Sequence, residues 1–182
     1  MSIQFFQLNQ IGTADLIALN THPAVLEHMP LGSHLFDEQA CREWVAGKEQ
    51  HWDQHGYGVW AIMIDGQFAG WGGLQNEAGD ADLALVLHPK FWGKGKYIVN
   101  NIIHKAFTSL KVESVTIHLP LTRKKISAIL RYGFTEEAIV DFDGIPFKRF
   151  RLSHWTVLSH KKNLLKSRAW KSRKCLWAFN LL

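Results

Sequence analysis

The sequence has 182 residues, of which 47% are hydrophobic and 20% are charged, and this size and composition fit one globular domain that buries a core. Its two cysteines, Cys41 and Cys175, cannot build a disulfide framework, and no apolar run is long enough to span a membrane as a helix. Because residues 1–5 also lack the basic and then apolar pattern of a signal peptide, we expect a soluble cytoplasmic protein.

The formal net charge of +5 is unevenly distributed along the chain. Residues 154–182 contain seven Lys and Arg and no acid, whereas the residues before them contain 14 basic and 16 acidic side chains. This change in composition marks a boundary. We therefore predict one domain over residues 1–152 and a basic amphipathic extension over residues 153–182. The positive charge as a whole does not indicate a nucleic-acid-binding fold.

Periodicity and turn residues predict a mixed α/β domain. Asp-Gly pairs at 65–66 and 143–144 are typical of hairpin turns. In chain order the pattern predicts strand 2–8, helix 13–20, a loop-rich stretch with Pro23, Pro30 and Gly32, helix 37–55, strands 59–64, 67–74 and 80–87, helix 93–110, strand 112–119, helix 122–131 and two strands from 133 to about 152. The order β-α-α-β-β-β-α-β-α-β-β differs from that of a regularly alternating doubly wound fold.

The connection between strand 80–87 and the next helix is the most informative segment. The strand stops at Pro89, glycines follow at positions 93 and 95, and a helix then begins. The first N–H groups of a helix have no partner inside it and lie at the positive end of its dipole, which is an arrangement that binds phosphate. Glycine lets the backbone approach the anion closely. The lysines that add positive charge are Lys90, Lys94 and Lys96.

The spacing of these glycines excludes two common phosphate-binding motifs. No Gly-Lys-Ser/Thr follows as in a Walker loop, and the three glycines of a dinucleotide fingerprint are absent. Taken alone, the segment is also compatible with an ordinary strand-to-helix turn that carries solvated lysines.

Residues Lys90–Gly95 resemble the pyrophosphate loop of the GNAT superfamily of acetyl-CoA-dependent N-acetyltransferases, Arg/Gln-x-x-Gly-x-Gly/Ala, with Lys in the first place. The tryptophan before Gly-Lys-Gly and the segments 56–61 and 70–74 are similar to one branch, the Rim-type enzymes related to those that acetylate the N-terminal amine of ribosomal proteins. Segment 122–134 has the length of the family's Asn-x-x-Ser helix, which ends in Gly-Phe. The resemblance covers about residues 2–152.

This resemblance implies the GNAT acyl-CoA N-acyltransferase fold, in which strands 80–87 and 112–119 splay apart to admit acetyl-CoA as cosubstrate. The backbone of the first of these strands would hydrogen-bond the pantetheine arm and polarise the thioester carbonyl, which an amine attacks directly. The residues assigned to the cofactor in this way are Leu85, Leu87, Lys90, Trp92, Gly93, Lys94, Gly95, Lys96 and Thr122.

The attacking amine must lose a proton, so the reaction requires a general base or a water chain leading to one. Asp82 aligns with an acid that the family often has on this strand, and His118 on the second splayed strand is of a type that titrates in the right range. Glu77 is a third candidate. Each of the three is also compatible with an ordinary strand or turn residue. For the leaving thiolate, the candidate proton donors are Ser127 and Tyr132.

The segment that follows the second splayed strand departs from the family pattern. Thr122 stands in place of the usual Asn, and Lys125 stands in place of Ser. Ile129 aligns with a Tyr that often protonates the thiolate, and Tyr97 in the preceding helix replaces a small residue. Two hypotheses therefore stay open: an N-acetyltransferase acting on a protein N-terminus or a small amine, and a non-catalytic CoA-binding module whose basic tail contacts a partner or nucleic acid.

Other patterns in the sequence do not indicate a catalytic or metal site. His51 and His55 have the spacing of two metal ligands on a helix, but the glutamate of a zinc-protease motif and a third ligand are missing, so we predict no metal. No Gly-x-Ser-x-Gly elbow of a hydrolase occurs, and Cys41 is interpreted as a buried small residue. The tail has three interpretations: docking on the body or on a second subunit of a homodimer, which is favoured; contact with an anionic membrane or nucleic acid; or a loosely ordered extension.

Overall fold

The computed structural model describes residues 1–33, 35–123 and 126–154. The helices and strands, in chain order, are β1 (Ile3–Phe6), α1 (Thr13–Asn20), α2 (Pro23–Leu26), α3 (Glu38–His55), β2 (Val59–Ile64), β3 (Gln67–Glu77), β4 (Asp80–Leu87), α4 (Gly95–Thr108), β5 (Ser114–Pro120), α5 (Ser127–Arg131), β6 (Thr135–Phe142) and β7 (Ile145–Ser153). Lys125 and the extension from residue 155 onward lie outside the described residues, so the predictions made for them stay predictions.

The strands form one mixed sheet in the order β1-β2-β3-β4-β5-β7-β6. Every neighbouring pair is antiparallel except β4 and β5, which are parallel. The predicted Asp-Gly turns are confirmed, because both residues of each turn have positive φ: 48° and 78° at 65–66, and 51° and 80° at 143–144. This is the φ pattern of a type I′ turn, whose twist matches that of the two strands it joins.

The predicted splay between β4 and β5 is present. The two strands pair only through Ala81 with Val115 and Asp82 with Thr116, at the amino-terminal end of both strands. β4 continues to Leu87 and stays paired with β3, while β5 continues to Pro120 and stays paired with β7. A gap therefore opens between the strands, closed at Asp82 and Thr116 and widening toward the loop before α4.

Each face of the sheet packs on helices. On one face α4 contributes Ile98 and Ile102 to a core with Leu83, Val115 and Phe150. On the other face, α1 and α3 cover a second core. Its buried members are Leu8, Leu16, Leu19, Val25, Cys41, Val59, Ala61, Trp71 and Val86. The interpretation of Cys41 as a buried small residue is thereby confirmed, and burial raises the pKa of its thiol. Because neighbouring residues of a strand face opposite ways, Asp82 shares the α1/α3 face with Val86.

Several predicted boundaries were wrong, and each has a local cause. The first strand ends at Phe6 because Leu8–Gln10 form a 3-10 turn. Pro23–Leu26 form the short helix α2, where a loop was expected, and the His22 ring accepts a hydrogen bond from the Ala24 amide at 3.2 Å to cap it. The predicted helix 122–131 is reduced to α5, since the Arg123 amide donates to the Pro120 carbonyl in a turn.

The start of α4 and the ends of two strands also differ from the prediction. α4 begins at Gly95 rather than at residue 93, because Gly93 has φ +88°, outside the helical region. It ends at Thr108 rather than at residue 110. β5 begins at Ser114, and β3 extends to Glu77. Among the described residues, no helix has both the length and the apolar character that crossing a membrane requires.

Gly70 and Gly47 differ in whether the surrounding structure leaves room for a side chain. Gly70 in β3 has φ +148°, and a Cβ atom there would collide with the Val86 carbonyl oxygen. Gly47 lies within α3, and a Cβ atom there would meet nothing within 4 Å. We expect Gly70→Ala to lower the free energy of unfolding by more than about 2 kcal/mol. Gly47→Ala, the matched control, should raise it by about 0.5–1 kcal/mol.

Urea unfolding followed by circular dichroism measures both changes. A loss below about 0.5 kcal/mol for Gly70→Ala would contradict the close approach of β3 to β4 at this position.

Candidate active site

The connection from β4 to α4 has the geometry of an anion-binding loop. β4 ends at Leu87, Pro89–Phe91 form a 3-10 turn, and α4 begins at Gly95. Between them, Gly93 has a left-handed φ, and a Cβ atom there would meet no other atom within 4 Å. The loop therefore leaves open space beside the positive end of α4, where an anion binds most favourably.

The backbone amides at the start of α4 differ in what they bond. The Lys94 amide donates to the Phe91 carbonyl at 3.1 Å, because the turn continues into the loop. The amides of Gly95 and Lys96 belong to the first turn of α4, where the helix offers no acceptor four residues earlier. Backbone donors for an anion are therefore expected from the first turn of α4 rather than from Lys94.

The lysines of the loop have separate surroundings. Lys90 Nζ donates to Gln67 Oε1 at 2.7 Å and lies 5.7 Å from the centre of the Phe91 ring. Partial desolvation and the positive charge of Arg131 lower the pKa of Lys96. Two neighbouring cations at the positive end of a helix repel each other, and a bound anion would relieve that repulsion.

Arg131 is a residue that the sequence analysis did not single out. It lies at the end of α5, and the packing of α5 against α4 brings it to Lys96. The Tyr132 hydroxyl fixes this packing by donating to the Lys96 carbonyl at 3.0 Å. Burial raises the pKa of Tyr132 to about 12, so the hydroxyl keeps its proton at neutral pH. Tyr132 thus has a structural bond, while its role as a proton donor to the thiolate stays a prediction.

The open edge of β4 presents backbone groups to the gap. The His88 amide donates to the Ala69 carbonyl at 2.9 Å, which places the peptide groups of His88 on the β3 side. Because these groups alternate along a strand, those of Leu85 and Leu87 face the gap. The indole N–H of Trp92, whose side chain remains half exposed, donates to the Leu87 carbonyl at 3.0 Å. A side-chain donor therefore already occupies one of the backbone acceptors on this edge.

Asp82 and His118, the first two candidates for the general base, lie in contact. His118 Nδ1 is 2.8 Å from Asp82 Oδ1, within ion-pair distance although not aligned as a hydrogen bond. The Thr116 hydroxyl donates to the same Asp82 oxygen at 3.0 Å. The side chains of His118 and Asp82 are only 10% and 13% exposed. Since Asp82 and Thr116 form the last pair before the strands separate, the cluster lies at the closed end of the gap.

The remaining candidates lie elsewhere. Glu77 ends β3 and pairs with Asp80 rather than with Asp82. Ser127 begins α5 and is exposed, and Thr122 is exposed in the turn after β5. Among the described residues, no hydrogen bond or ion pair joins these three side chains to the Asp82–His118 pair. The predictions that Ser127 donates a proton and that Thr122 touches the cofactor therefore stay predictions.

His51 has both ring nitrogens occupied. Nδ1 lies 2.8 Å from the Tyr57 carbonyl oxygen, and Nε2 accepts from the Asn76 amide at 2.7 Å. A neutral ring with its proton on Nδ1 satisfies both bonds, and desolvation lowers the pKa of His51. In the part of the chain that the structure describes, no group of three or more His, Cys, Asp or Glu side chains is arranged to hold a metal ion.

A charge network beside the Asp82–His118 pair was not foreseen from the sequence. Asp80 on β4 pairs with Arg149 and with Arg151 of β7, the latter at 2.7 Å. Glu137 of β6 pairs with the same two arginines at 3.0 and 2.6 Å. Hydrogen bonding and charge from Arg151, with help from Arg149, hold the pKa of Asp80 below its ordinary value. The sequence did indicate that Arg149 and Arg151 share a face of their strand, because they are two residues apart. It did not indicate which strands lie beside that strand.

The loop and the splayed strands agree with a known family. The family model for the Acetyltransferase (GNAT) domain matches residues 7–135. The chain belongs to the GNAT acetyltransferase family. This acetyltransferase is accordingly an acetyl-CoA-dependent N-acetyltransferase, with acetyl-CoA as its cosubstrate.

Solved GNAT structures share the fold of this acetyltransferase. The spermidine N-acetyltransferase from Vibrio cholerae, crystallised with CoA and spermine, is 14% identical, with a TM-score of 0.67 over 86% of this chain and 97% of that chain. The aminoglycoside acetyltransferase AAC(6')-Ib with coenzyme A is 12% identical, with a TM-score of 0.67 over 88% and 99%. Campylobacter jejuni PseH with acetyl coenzyme A is 19% identical, with a TM-score of 0.58 over 84% and 99%. At these identities the likeness shows the fold.

The assignment of the loop predicts the effect of a charge at Gly93. Gly93→Glu would place a carboxylate beside the expected diphosphate, and we expect acetyl-CoA binding to become undetectable by calorimetry. Gly144→Glu is the matched control, because Gly144 also has a positive φ of 80° and open space, but lies in the β6–β7 turn. That variant should bind acetyl-CoA like the unchanged protein. Equal affinity in the two variants would refute the loop assignment.

Proposed function

We propose that this acetyltransferase transfers the acetyl group of acetyl-CoA to a primary amine, and that Asp82 and His118 together remove the proton of that amine. The observation that carries this proposal is their contact at the closed end of the β4–β5 gap. A cofactor with its diphosphate at the start of α4 and its arm along the open edge of β4 extends toward this end. The acetyl group would therefore be delivered beside the pair.

The chemistry needs a neutral amine next to the thioester. The nitrogen lone pair attacks the carbonyl carbon, a C–N bond forms, and the C–S bond breaks to release CoA as a thiolate. Backbone N–H groups on the open edge of β4 would stabilise the negative charge that develops on the carbonyl oxygen. The amine proton passes to the base, and the thiolate takes a proton from a donor, for which Ser127 is the candidate.

The pair suits this role because its two members differ in function. The Asp82 carboxylate lies at Nδ1 of His118, where it favours the proton on that nitrogen and stabilises the imidazolium that forms. Nε2 is then the ring nitrogen that accepts a proton from the amine. The Thr116 hydroxyl and the edge of the Phe142 ring, 5.0 Å from the imidazole, hold Asp82 and His118 in place.

The acceptor is a primary amine, and two classes of acceptor are proposed. The Rim-type resemblance of the tryptophan and Gly-Lys-Gly segment supports a protein N-terminal amine. The structurally similar spermidine and aminoglycoside acetyltransferases instead support a small amine as the second class. Acetylation of N-terminal peptides and of small amines under the same conditions separates the two, since the preferred class will show the higher kcat/KM.

A non-catalytic CoA-binding module is the alternative function. It is favoured by Thr122 in place of the family's Asn and by Ile129 in place of the Tyr that often protonates the thiolate. Release of the CoA thiol in the presence of an amine panel distinguishes the two functions. Acetyl-CoA binding without thiol release to any amine would support the binding module.

The base assignment predicts large kinetic losses in two variants. Asp82→Asn and His118→Gln should each lower kcat/KM by about 10²–10⁴-fold near neutral pH, because the amine then loses its proton acceptor or that acceptor's partner. Acetyl-CoA affinity should stay unchanged in both. Asp53→Asn, at an exposed position of α3, is the control for the loss of one carboxylate and should keep full activity. Near-normal turnover of Asp82→Asn from pH 6 to 9 would remove Asp82 from the mechanism.

A further inference from the structure

Two carboxylates of β4 make the side-chain contacts that cross the β4–β5 junction on the α1/α3 face. Asp82 contacts Thr116 and His118 of β5. Asp80, two residues earlier and therefore on the same face, reaches past β5 to Arg149 and Arg151 of β7. The base pair and the charge network are thus adjacent but use different carboxylates.

The backbone of Arg149 lies beside that of His118, but the Arg149 guanidinium pairs with other residues. Arg149 and His118 are register partners on the antiparallel strands β7 and β5, so their side chains leave the sheet side by side. The guanidinium nevertheless contacts Asp80 and Glu137. Both side chains are mostly buried, because Arg149 is 21% and Asp80 25% exposed. Solvent therefore screens these charges only in part.

The network is electrically balanced. Asp80 and Glu137 supply two negative charges, and Arg149 and Arg151 supply two positive charges. Arg151 also donates to the Ser114 hydroxyl at 2.7 Å, which fixes its position across β5. With the network neutral, Asp82 is the uncompensated charge that faces His118 from β4, while Phe142 of β6 presents an uncharged ring.

We propose that Asp80 is a positioning residue for the reaction: by holding Arg149 and Arg151, it keeps their positive charges away from the Asp82–His118 pair, so that the imidazole keeps both its carboxylate partner and its affinity for the amine proton. This inference rests on the proposed function of that pair.

Removal of the Asp80 charge has two consequences under this arrangement. The network would carry one excess positive charge, and a nearby positive charge disfavours an imidazolium. Arg149 would also have Asp82 as a neighbouring carboxylate and would compete with His118 for it. Both effects weaken the base, and a compensating loss of one arginine would reverse them.

The experiment compares three variants whose network charge differs in sign. Asp80→Asn leaves a charge of +1, Arg149→Gln leaves −1, and the double variant is neutral again. Relative to the unchanged protein, the titration midpoint of His118 should fall by about 0.5 pH unit or more in the first, rise in the second and return in the third. The midpoint is read by NMR on protein with labelled histidine, without substrate, and His118→Gln assigns the signal.

Glu136→Gln is the matched control. Like Asp80→Asn, it removes one carboxylate, here from β6. Glu136 is paired at 2.9 Å with Lys148, which lies on the face of β7 opposite to Arg149 and Arg151. That variant should leave the His118 midpoint unchanged. The acid limb of the kcat/KM profile should move with the midpoint in the other variants, and the double variant should recover most of the kcat that Asp80→Asn loses.

Equal midpoints in all variants, or shifts of one sign in both single variants, would overturn the inference. If Asp80→Asn does not fold, Arg149→Gln alone tests the inference: a higher His118 midpoint supports it, and an unchanged or lower midpoint contradicts it. The titration needs no acceptor, so it tests the charge network separately from catalysis. If the midpoints fall, rise and return as expected but His118→Gln keeps normal turnover, the proposed function of the pair is overturned instead.

Discussion

Two residue pairs are all that join β4 to β5, although each strand is fully paired on its other side. Backbone N–H and C=O groups require partners wherever water is excluded. Among the described residues, the part of β4 beyond Asp82 has no strand beside it along the gap, and the Trp92 indole already supplies a partner to one of its peptide groups, the Leu87 carbonyl. Such an edge can pair with an extended molecule that carries amide groups in the way that it would pair with a further strand.

The same gap explains where charge accumulates. At its closed end, side-chain contacts add to the two backbone pairs in connecting the halves of the sheet, and on the α1/α3 face they are made by Asp80 and Asp82. On the opposite face, α4 packs apolar residues beneath both strands. At the open end, the positive end of α4 and the Lys96–Arg131 neighbours favour an anion. The two ends of the gap therefore differ in charge: the open end is positive, and the closed end carries the two carboxylates.

The elements that the sequence predicted well are those set by short-range chemistry. The Asp-Gly turns fix two hairpins, and α3 begins and ends as expected because Asp37 caps its first turn at 2.8 Å from the Ala40 amide, while Gly56 ends it with φ +69°. The elements that were missed or shortened, α2 and α5, are only four and five residues long. Helices this short owe their stability to packing, which periodicity does not record.

The sequence by itself determined the GNAT family, the order of the seven strands along the chain and every helix except α2. It also predicted the phosphate loop and the residue types from which a base would come. Which of those residues meet was decided by the tertiary structure. Asp82 and Thr116 are 34 residues apart, and Asp80 and Arg149 are 69 apart, so their contacts depend on strand order. Alternation along a strand tells which face a side chain takes, but it does not tell which strand lies beside it. That is why Asp82 and His118 were separate candidates in the sequence and one pair in the fold.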